Sequence, residues 1–313
     1  MIGYDIGPVH DMKYRYLIAD IFTDKPFGGN QLAVFPDARG LNDEQMFALA
    51  REFNFSETTF VFPPEKGGTR RLRIWTPGGE VPFAGHPTVG TAHVLASIGE
   101  IALEGETTSI VFEEEVGSVP VTIRSSGGTP VFAQLSVAKL PEVGPPVPTR
   151  ETLASILSLE SKDLVGGHFS PQSVSCGLPF LFVALKDRDA VKRSRIKVEQ
   201  WERTLGNAWA SMIMVFSRDP QREGSDIRAR MYAPGISVPE DPATGSACAA
   251  LGGYLAARDS RQDGTLRWVV EQGFEMNRPS IIEVEVDKHA GTITAVRVGG
   301  ASVMMGEGTI EVP

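Results

Sequence analysis

Residues 239–256 read PEDPATGSACAALGGYLA, a proline-containing turn followed by an apolar helix with an unusual beginning. The first turn contains Thr244, Gly245 and Ser246, where stronger helix formers are more common. Small side chains leave the free N–H groups of a helix start uncovered, and the helix dipole makes that end attractive to anions. We therefore expect this helix start to bind an anionic group such as a carboxylate.

A similar stretch lies about half a chain earlier. RIWTPGGEVP at 73–82 matches RMYAPGISVP at 230–239, and HPTVGTA at 86–92 matches DPATGSA at 241–247. A single repeat of this length exceeds the roughly 20–50 residues of solenoid repeats. A chance likeness between two Gly/Pro-rich turns is the alternative. Because strand and helix segments recur in the same order, we favour two similar domains that face each other.

Both copies place a polar residue before a proline, His86 before Pro87 and Asp241 before Pro242. This order is typical of an N-cap followed by the first helical residue. Gly90 and Gly245 would then be equivalent residues of two first turns that open onto one cleft. An aspartate at such a position is often only a cap, so a capping role and a ligand-binding role both stay open for Asp241.

One carboxylate has no counterpart in the other half. Aligning NFSETTFVF at 54–62 with NAWASMIMVF at 207–216 places Glu57 opposite Ala210. A partly buried glutamate has a raised pKa and exchanges protons near neutral pH, which makes Glu57 a candidate acid–base group. An exposed glutamate at a strand start is the alternative interpretation.

The pattern of elements predicts an α+β fold rather than a parallel βαβ array. Strand-like runs alternate with a few helix-like segments, and the second half repeats the order of the first. Predicted helices lie at 42–53, 90–99 and 198–209, and another starts at Pro242. We divide the chain into domains at 12–128 and 129–313, where SSGG marks the boundary; PEVGPPVPT at 141–149 is the alternative connector.

Composition excludes several functional classes. The formal net charge of −9 and the scattered basic residues argue against nucleic acid. No apolar run reaches the roughly 18–20 residues of a membrane span, and MIGYDIGPVHDMKYRY lacks a signal-peptide core, so we expect a cytoplasmic protein. Two cysteines and five dispersed histidines form no ligand spacing, and no nucleotide motif is present, so no metal or cofactor is expected.

Five segments together resemble the signature segments of the PhzF (phenazine biosynthesis-like) isomerase family. They are DIFTDKPFGGNQLAVF, FNFSETTFVF, WTPGGEVPFAGHPTVGTA, APGISVPEDPATGSA and EQGFEMNRPS, and they extend from residue 20 to residue 280. The resemblance implies a fold like that of diaminopimelate epimerase. Two pseudo-symmetric domains would each wrap a curved, mostly antiparallel sheet around a central helix, and the C-terminal strand is a candidate to complete the first.

The resemblance also implies a cofactor-independent isomerase, and its motifs indicate the residues of the active site. A glutamate would move a proton on a small carboxylate similar to trans-2,3-dihydro-3-hydroxyanthranilate, and the protein would be a homodimer. The implied catalytic residues are Glu57, His86 and Asp241, and the implied substrate-binding residues are Asn30, Ser56, Gly85, Thr244, Gly245 and Ser246. An epimerase or racemase that uses the same cleft, and a non-catalytic ligand-binding protein of this fold, remain as alternatives.

The sequence departs from related families at several positions. Related epimerases and racemases have one cysteine at each helix start, where this chain has Ala84 and Pro242. Cys248 lies deeper in its helix and Cys176 lies far upstream, so we do not expect a two-thiol mechanism. Family members often have a cysteine in place of Ala84 and a glycine in place of Asn277.

Overall fold

A computed structural model describes residues 12–236 and 238–313. The predicted lack of a signal-peptide core concerns residues 1–16, of which 1–11, including His10, lie outside the described residues, as does Ser237 of the second repeat. The strands are β1 Met12–Ile21, β2 Asn30–Phe35, β3 Glu57–Phe62, β4 Arg70–Thr76, β5 Gly79–Val81, β6 Thr107–Glu114, β7 Gly117–Ser126, β8 Thr129–Ser136, β9 Glu142–Val143, β10 Gln172–Ser175, β11 Pro179–Ala184, β12 Met212–Ser217, β13 Ile227–Ala233, β14 Val238–Asp241, β15 Gly264–Gln272, β16 Ser280–His289, β17 Thr292–Gly300 and β18 Ser302–Val312.

Helices are fewer than strands, as the sequence predicts. The helix expected at 42–53 begins at Asp43, because Asn42 accepts the N–H of Gln45 and the Gln45 side chain accepts the N–H of Asn42, which forms a capping box. The α-helices are α1 Asp43–Phe53, α2 Gly85–Ser97, α3 Arg150–Ile156, α4 Arg188–Arg193, α5 Val198–Leu205 and α6 Gly245–Ala256. The structure thus starts α2 before the predicted residue 90, ends α5 before the predicted residue 209, and starts α6 after Pro242.

The order of strand pairing is the same in the two halves. In the first, β2 pairs in parallel with β3, β3 antiparallel with β4, β4 in parallel with β6, and β6 antiparallel with β7. In the second, the same sequence of pairings runs through β11, β12, β13, β15 and β16. The predicted α+β class with a mostly antiparallel sheet is therefore confirmed, and each half carries the same two parallel pairings.

Two strands connect the halves. β18 pairs along the whole of β1, from Met12 opposite Val312 to Ile21 opposite Ser302. β8 pairs with both β7 and β17. The expected boundary after residue 128 lies at a hairpin turn in which Gly127 and Gly128 have φ angles of 59° and 78°. The division of the chain into two domains stays a prediction.

Helices α2 and α6 lie at the centre of the wrapped sheet. Residues 85–96 of α2 and all residues of α6 are buried, and neither helix has a charged residue in its first or last turn. A helix that is apolar on every side needs a partner on every side, and the curved sheet provides it. Within residues 12–236 and 238–313 the structure contains no helix with the length and apolar character of a membrane span.

Candidate active site

The two central helices meet at their first residues. A Cβ atom built on Gly85 would lie 2.5 Å from the Ser246 nitrogen and 2.7 Å from the Gly245 Cα, and one built on Gly245 would lie 3.2 Å from the Gly85 Cα. Only glycine allows two backbones to approach this closely. The structure thus brings three of the predicted binding residues, Gly85, Gly245 and Ser246, to a single point between the two helix starts.

The predicted alignment of the two helix starts is wrong by several residues. Residues 81–90 and 241–250 pass through the same series of strand end, bend and helix, so Gly85 corresponds to Gly245 and His86 to Ser246. Gly90 is not the counterpart of Gly245. A Cβ atom on Gly90 would lie 2.5 Å from Ile21 Cδ1 and 2.6 Å from Leu32 Cδ2, so its small size serves packing in the core.

The predicted N-caps are also wrong. His86 lies inside the first turn of α2, whose N-cap is Ala84, and Asp241 is the last residue of β14, before the N-cap Thr244 of α6. Gln272 explains the late start of α6. Its Nε2 donates to the Asp241 carbonyl at 2.7 Å and its Oε1 accepts the Thr244 N–H at 3.2 Å, which fixes both ends of the bend that precedes the helix.

Asp241 is a buried carboxylate surrounded by donors. Its Oδ1 accepts hydrogen bonds from Asn30 Nδ2 at 2.7 Å and from Ser56 Oγ at 2.8 Å, and its Oδ2 accepts one from Thr244 Oγ1 at 2.5 Å. Burial raises the pKa of Asp241, while these three hydrogen bonds act in the opposite direction. Four predicted site residues therefore form one network, in which Asp241 is the member best equipped to carry a negative charge.

Glu57 lies beside this network with fewer partners. Its Oε2 is 3.4 Å from His86 Nδ1, at the limit of hydrogen-bond distance, and has no hydrogen-bond partner among the described residues. Burial, and then the Asp241 charge, raise the pKa of Glu57 well above its usual value. Glu57 consequently holds its proton more strongly than Asp241, because no hydrogen-bond donor in the described part of the chain stabilises its ionised form.

His86 is neutral. Burial lowers the pKa of its imidazole to about 3, so the contact with Glu57 is not an ion pair. Asn30 Nδ2 lies 3.3 Å from His86 Nδ1, but its two hydrogens have closer acceptors in Asp241 Oδ1 and the Ala243 carbonyl, at 2.7 and 3.0 Å. Asn30 therefore leaves His86 Nδ1 free to interact with Glu57, as an acceptor or as a donor according to the tautomer of the neutral ring.

The site is asymmetric although the backbone is duplicated. Thr58 pairs with Trp75 in the first half, and Ile213 pairs with Tyr232 at the corresponding place in the second, so the counterpart of Glu57 is Met212. The predicted counterpart, Ala210, is wrong by two residues because Ala210 precedes β12. The conclusion drawn from it holds, since methionine carries no proton.

Neither cysteine is placed for thiol chemistry. Both are free and buried, with Cys248 inside α6 and Cys176 just after β10. Burial raises the pKa of Cys176 to about 12 and that of Cys248 higher still. A thiolate is the reactive form, so neither residue is activated as the two-thiol mechanism requires.

The sequence alone does not predict a role for Gln272 in the site, although Gln272 lies in the quoted segment EQGFEMNRPS. Asn277, in the same segment, has a left-handed backbone with φ of 57°, which explains why glycine suits this position and why asparagine is tolerated. The site itself is nearly closed, because only 16% of the Glu57 side chain is exposed and Asp241 and His86 are buried. A surface groove of 640 Å³ is lined mainly by β1, the end of β3 and the loops after β2 and β3, and none of these site residues lines it.

Comparison with known proteins places this geometry in a family. The PhzC-PhzF model, described as phenazine biosynthesis-like protein, matches residues 19–308. An uncharacterized isomerase of Mesorhizobium japonicum is 36% identical over 300 residues, which cover 95% of this chain and 98% of the relative. The trans-2,3-dihydro-3-hydroxyanthranilate isomerase of Pseudomonas fluorescens is 33% identical and covers 95% of this chain and 99% of its own.

Solved structures agree on the fold. The PhzF-family phenazine biosynthesis protein of Bacillus anthracis superposes with a TM-score of 0.86 at 26% identity, over 96% of this chain and 99% of its own. A hydroxyproline epimerase of Agrobacterium vitis gives a TM-score of 0.63 at 13% identity, over 96% and 91% of the two chains, and so shares the fold alone. The expected epimerase-like architecture is confirmed.

Proposed function

The chain belongs to the PhzC-PhzF family of phenazine biosynthesis-like proteins and is an isomerase, and we propose that Glu57 carries the proton in its reaction. The proposed substrate is a small cyclic carboxylate of the trans-2,3-dihydro-3-hydroxyanthranilate type, on which a relative acts. The proton leaves one carbon for Glu57 and returns from Glu57 to another carbon. The product therefore has the same atoms as the substrate, and no cofactor takes part.

The observation that carries this proposal is the unpartnered oxygen of Glu57. A buried carboxyl oxygen without a hydrogen bond is rare in folded proteins and needs an explanation. Its raised pKa brings the change between acid and base closer to neutral pH, which is the condition for efficient general acid–base catalysis. In this proposal neutral His86 carries its proton on Nε2, so that Nδ1 accepts from the protonated Glu57 and orients it between the two transfers.

Asp241 has a different role in this proposal. Because Asn30, Ser56 and Thr244 already fill its oxygens, it keeps its charge and acts as a fixed negative group beside Glu57. That charge opposes ionisation of Glu57 and so increases the strength of Glu57 as a base. Asp241 also holds Asn30 in the orientation that leaves His86 Nδ1 free.

The helix starts are proposed to bind the carboxylate of the substrate. The N–H groups of Gly245 and Ser246 lie in the first turn of α6, where no intrahelical acceptor exists. The positive end of the helix dipole favours a negative group there. No side chain at Gly85 or Gly245 stands between this helix start and a small ligand.

Solvent exchange tests the proposal. The protein is incubated in deuterated water with trans-2,3-dihydro-3-hydroxyanthranilate, and NMR follows deuterium incorporation and the product. We expect exchange and isomerisation with the wild type, and a loss of at least about a hundredfold with Glu57→Gln, which retains shape but cannot shuttle a proton. Glu52→Gln, on the exposed side of α1, is the matched control and should keep the wild-type rate.

The possible results separate the alternatives. Wild-type exchange rates in Glu57→Gln would contradict the role of Glu57. Inversion of a stereocentre without movement of a double bond would indicate an epimerase that uses the same cleft. Failure of the wild type to exchange any carbon-bound hydrogen of this substrate would contradict the proposed substrate.

A further inference from the structure

Another buried carboxyl group, Glu114, lies at the end of β6 and outside the site described above. Its Oε1 is 2.6 Å from Thr88 Oγ1, and its Oε2 has no hydrogen-bond partner within the described part of the chain. Thr88 belongs to α2, one turn after the N-cap Ala84. Glu114 therefore reaches the same helix start that carries His86.

The hydrogen atoms around Thr88 can be counted. Thr88 Oγ1 lies 2.6 Å from Glu114 Oε1 and 2.8 Å from the Ala84 carbonyl oxygen. A hydroxyl group has one proton to donate, and a carbonyl oxygen can only accept. Each contact is a full hydrogen bond when Glu114 is protonated and donates to Thr88, which in turn donates to the Ala84 carbonyl; an ionised Glu114 would leave one Thr88 proton to serve two acceptors.

The other half of the molecule provides an independent comparison. Arg71 pairs with Glu113 where β4 meets β6, and Arg228 pairs with Glu271 where β13 meets β15, so the next residue in each strand, Glu114 or Gln272, is equivalent. Gln272 holds the start of α6 through Thr244 and the Asp241 carbonyl. An amide, which is always neutral, thus occupies the position that Glu114 has at α2.

Charged groups near Glu114 do not compensate an ionised form. Glu113 accepts the backbone N–H groups of Glu65, Lys66 and Gly68, and nearby Arg71 and Arg73 have ion pairs with Glu65 and Glu80. Burial raises the pKa of Glu114 to about 8. Glu114 lines a surface cavity, and the other charged residues that line it are Glu65, Lys66, Arg71, Arg73, Glu80, Glu113 and Glu115.

We propose that Glu114 is a neutral acid that donates to Thr88, and that the resulting chain of hydrogen bonds through Thr88 to the Ala84 carbonyl fixes the first turn of α2. Glu114 is then a positioning residue for His86, which lies in that turn. If Glu114 were ionised, Thr88 would donate its hydroxyl proton to Glu114 and would no longer donate to the Ala84 carbonyl. Its effect on catalysis rests on the proposed function, whereas its protonation does not.

Thermal unfolding tests the protonation without any substrate. The folded protein keeps the Glu114 proton up to about pH 8, whereas the unfolded chain loses it near 4.5, so this group makes stability fall between these values and level off above them. Glu114→Gln removes that dependence. We expect the Tm of the variant, relative to the wild type, to rise by roughly 5 °C between pH 5.5 and pH 8.5.

Glu113→Gln is the matched control. Hydrogen bonds from three backbone N–H groups lower the pKa of Glu113, so it is ionised in both folded and unfolded chains over this range. Its Tm difference from the wild type should not change with pH. A constant Tm difference for Glu114→Gln as well, or failure of that variant to fold at pH 6, would show that the neutral acid is not required and would overturn the proposal.

Activity tests the positioning role. We expect Glu114→Gln to stay within about twofold of the wild-type kcat at pH 7, and to avoid an approximately tenfold loss that the wild type suffers by pH 9, one unit above the pKa of Glu114. Thr88→Val removes the hydroxyl group and should lower kcat more than it raises KM. Thr88→Ser keeps the hydroxyl group and should have a kcat close to that of the wild type. Equal pH profiles for Glu114→Gln and wild type would overturn the positioning role, even where the Tm result supports protonation.

Discussion

The starts of α2 and α6 have the same backbone but different side chains. Both follow a strand end and a proline, both begin with glycine, and the two glycines touch. At three of four functional positions, however, only one half carries the acid–base or hydrogen-bonding group, and at the fourth an imidazole in one half corresponds to a hydroxyl in the other. The pairs are Glu57 and Met212, His86 and Ser246, Asp241 and Val81, and Thr244 and Ala84.

This difference shows how a duplicated fold produces one site rather than two. The backbone contact at Gly85 and Gly245 requires both copies, because each glycine makes room for the other. The chemistry uses a single set of side chains drawn from both halves, since Asn30 of the first half donates a hydrogen bond to Asp241 of the second. The duplicated sheet therefore aligns the halves, and the unequal side chains decide which one moves a proton.

Moving the carboxylate between the halves should have the largest effect. We expect Glu57→Met to reduce isomerisation by at least about a hundredfold, and the double variant Glu57→Met/Met212→Glu to recover none of it. Position 212 has Ser246 rather than His86 and Val81 rather than Asp241 in the equivalent places. Initial-rate measurements would decide, and restored activity in the double variant would mean that the second half can host the reaction.

The next largest effect is expected at His86 and Ser246, the residues that follow Gly85 and Gly245, and substitution of His86 should lower kcat more. His86→Gln removes the Nδ1 acceptor beside Glu57 and should lower kcat by about ten- to a hundredfold. Ser246→Ala removes only a hydroxyl at the equivalent position and leaves the backbone N–H, so a loss below about tenfold is expected. Comparable losses in kcat from the two variants would contradict the asymmetry described here.

Substitution of the two glycines should lower the unfolding free energy by different amounts. Gly85→Ala would place Cβ 2.5 Å from the backbone of Ser246, which can only be relieved by separating the helices, and should cost about 2–3 kcal/mol of unfolding free energy. Gly245→Ala meets the Phe22 ring at 3.0 Å and should cost about 1 kcal/mol. Urea unfolding followed by tryptophan fluorescence measures both, and the reverse order would contradict the contact geometry.

The smallest effect is expected at Asn277, in the loop that follows Gln272. Its φ of 57° lies in the left-handed region, which costs most residues about 1 kcal/mol and glycine nothing. Asn277→Gly should therefore match or slightly exceed the wild type in stability, and Asn277→Ala should fall about 1 kcal/mol below it. Equal stability of the glycine and alanine variants, measured by denaturant unfolding, would rule out this backbone requirement.

Local patterns predict the type and order of most elements better than the register between the two halves. The family resemblance implies that Glu57, His86, Asp241, Asn30 and Ser56 share one site, and the structure brings them together. The helix alignment failed because His86-Pro87 and Asp241-Pro242 look alike in sequence. Proline fits both the first turn of α2 and the bend before α6, so its presence does not decide between them.

Other features depend on contacts that no local pattern contains. Gln272 reaches Thr244, and Glu114 reaches Thr88, only because parallel pairing sets β15 beside β13 and β6 beside β4. The short helices α3 and α4 and the strand β8 were also missed. The apolar positions of β8 become meaningful only when β17, far along the chain, pairs with it.

The pairing of β1 with β18 has a consequence for protein synthesis. β18 follows every other described strand in the chain, so it is the last of them to leave the ribosome. Until then, β1 presents a full row of unpaired backbone groups along one edge, although its other edge can already pair with β2. The nascent chain therefore carries an exposed sheet edge through most of its synthesis, and that edge is where a chaperone or a second nascent chain would attach.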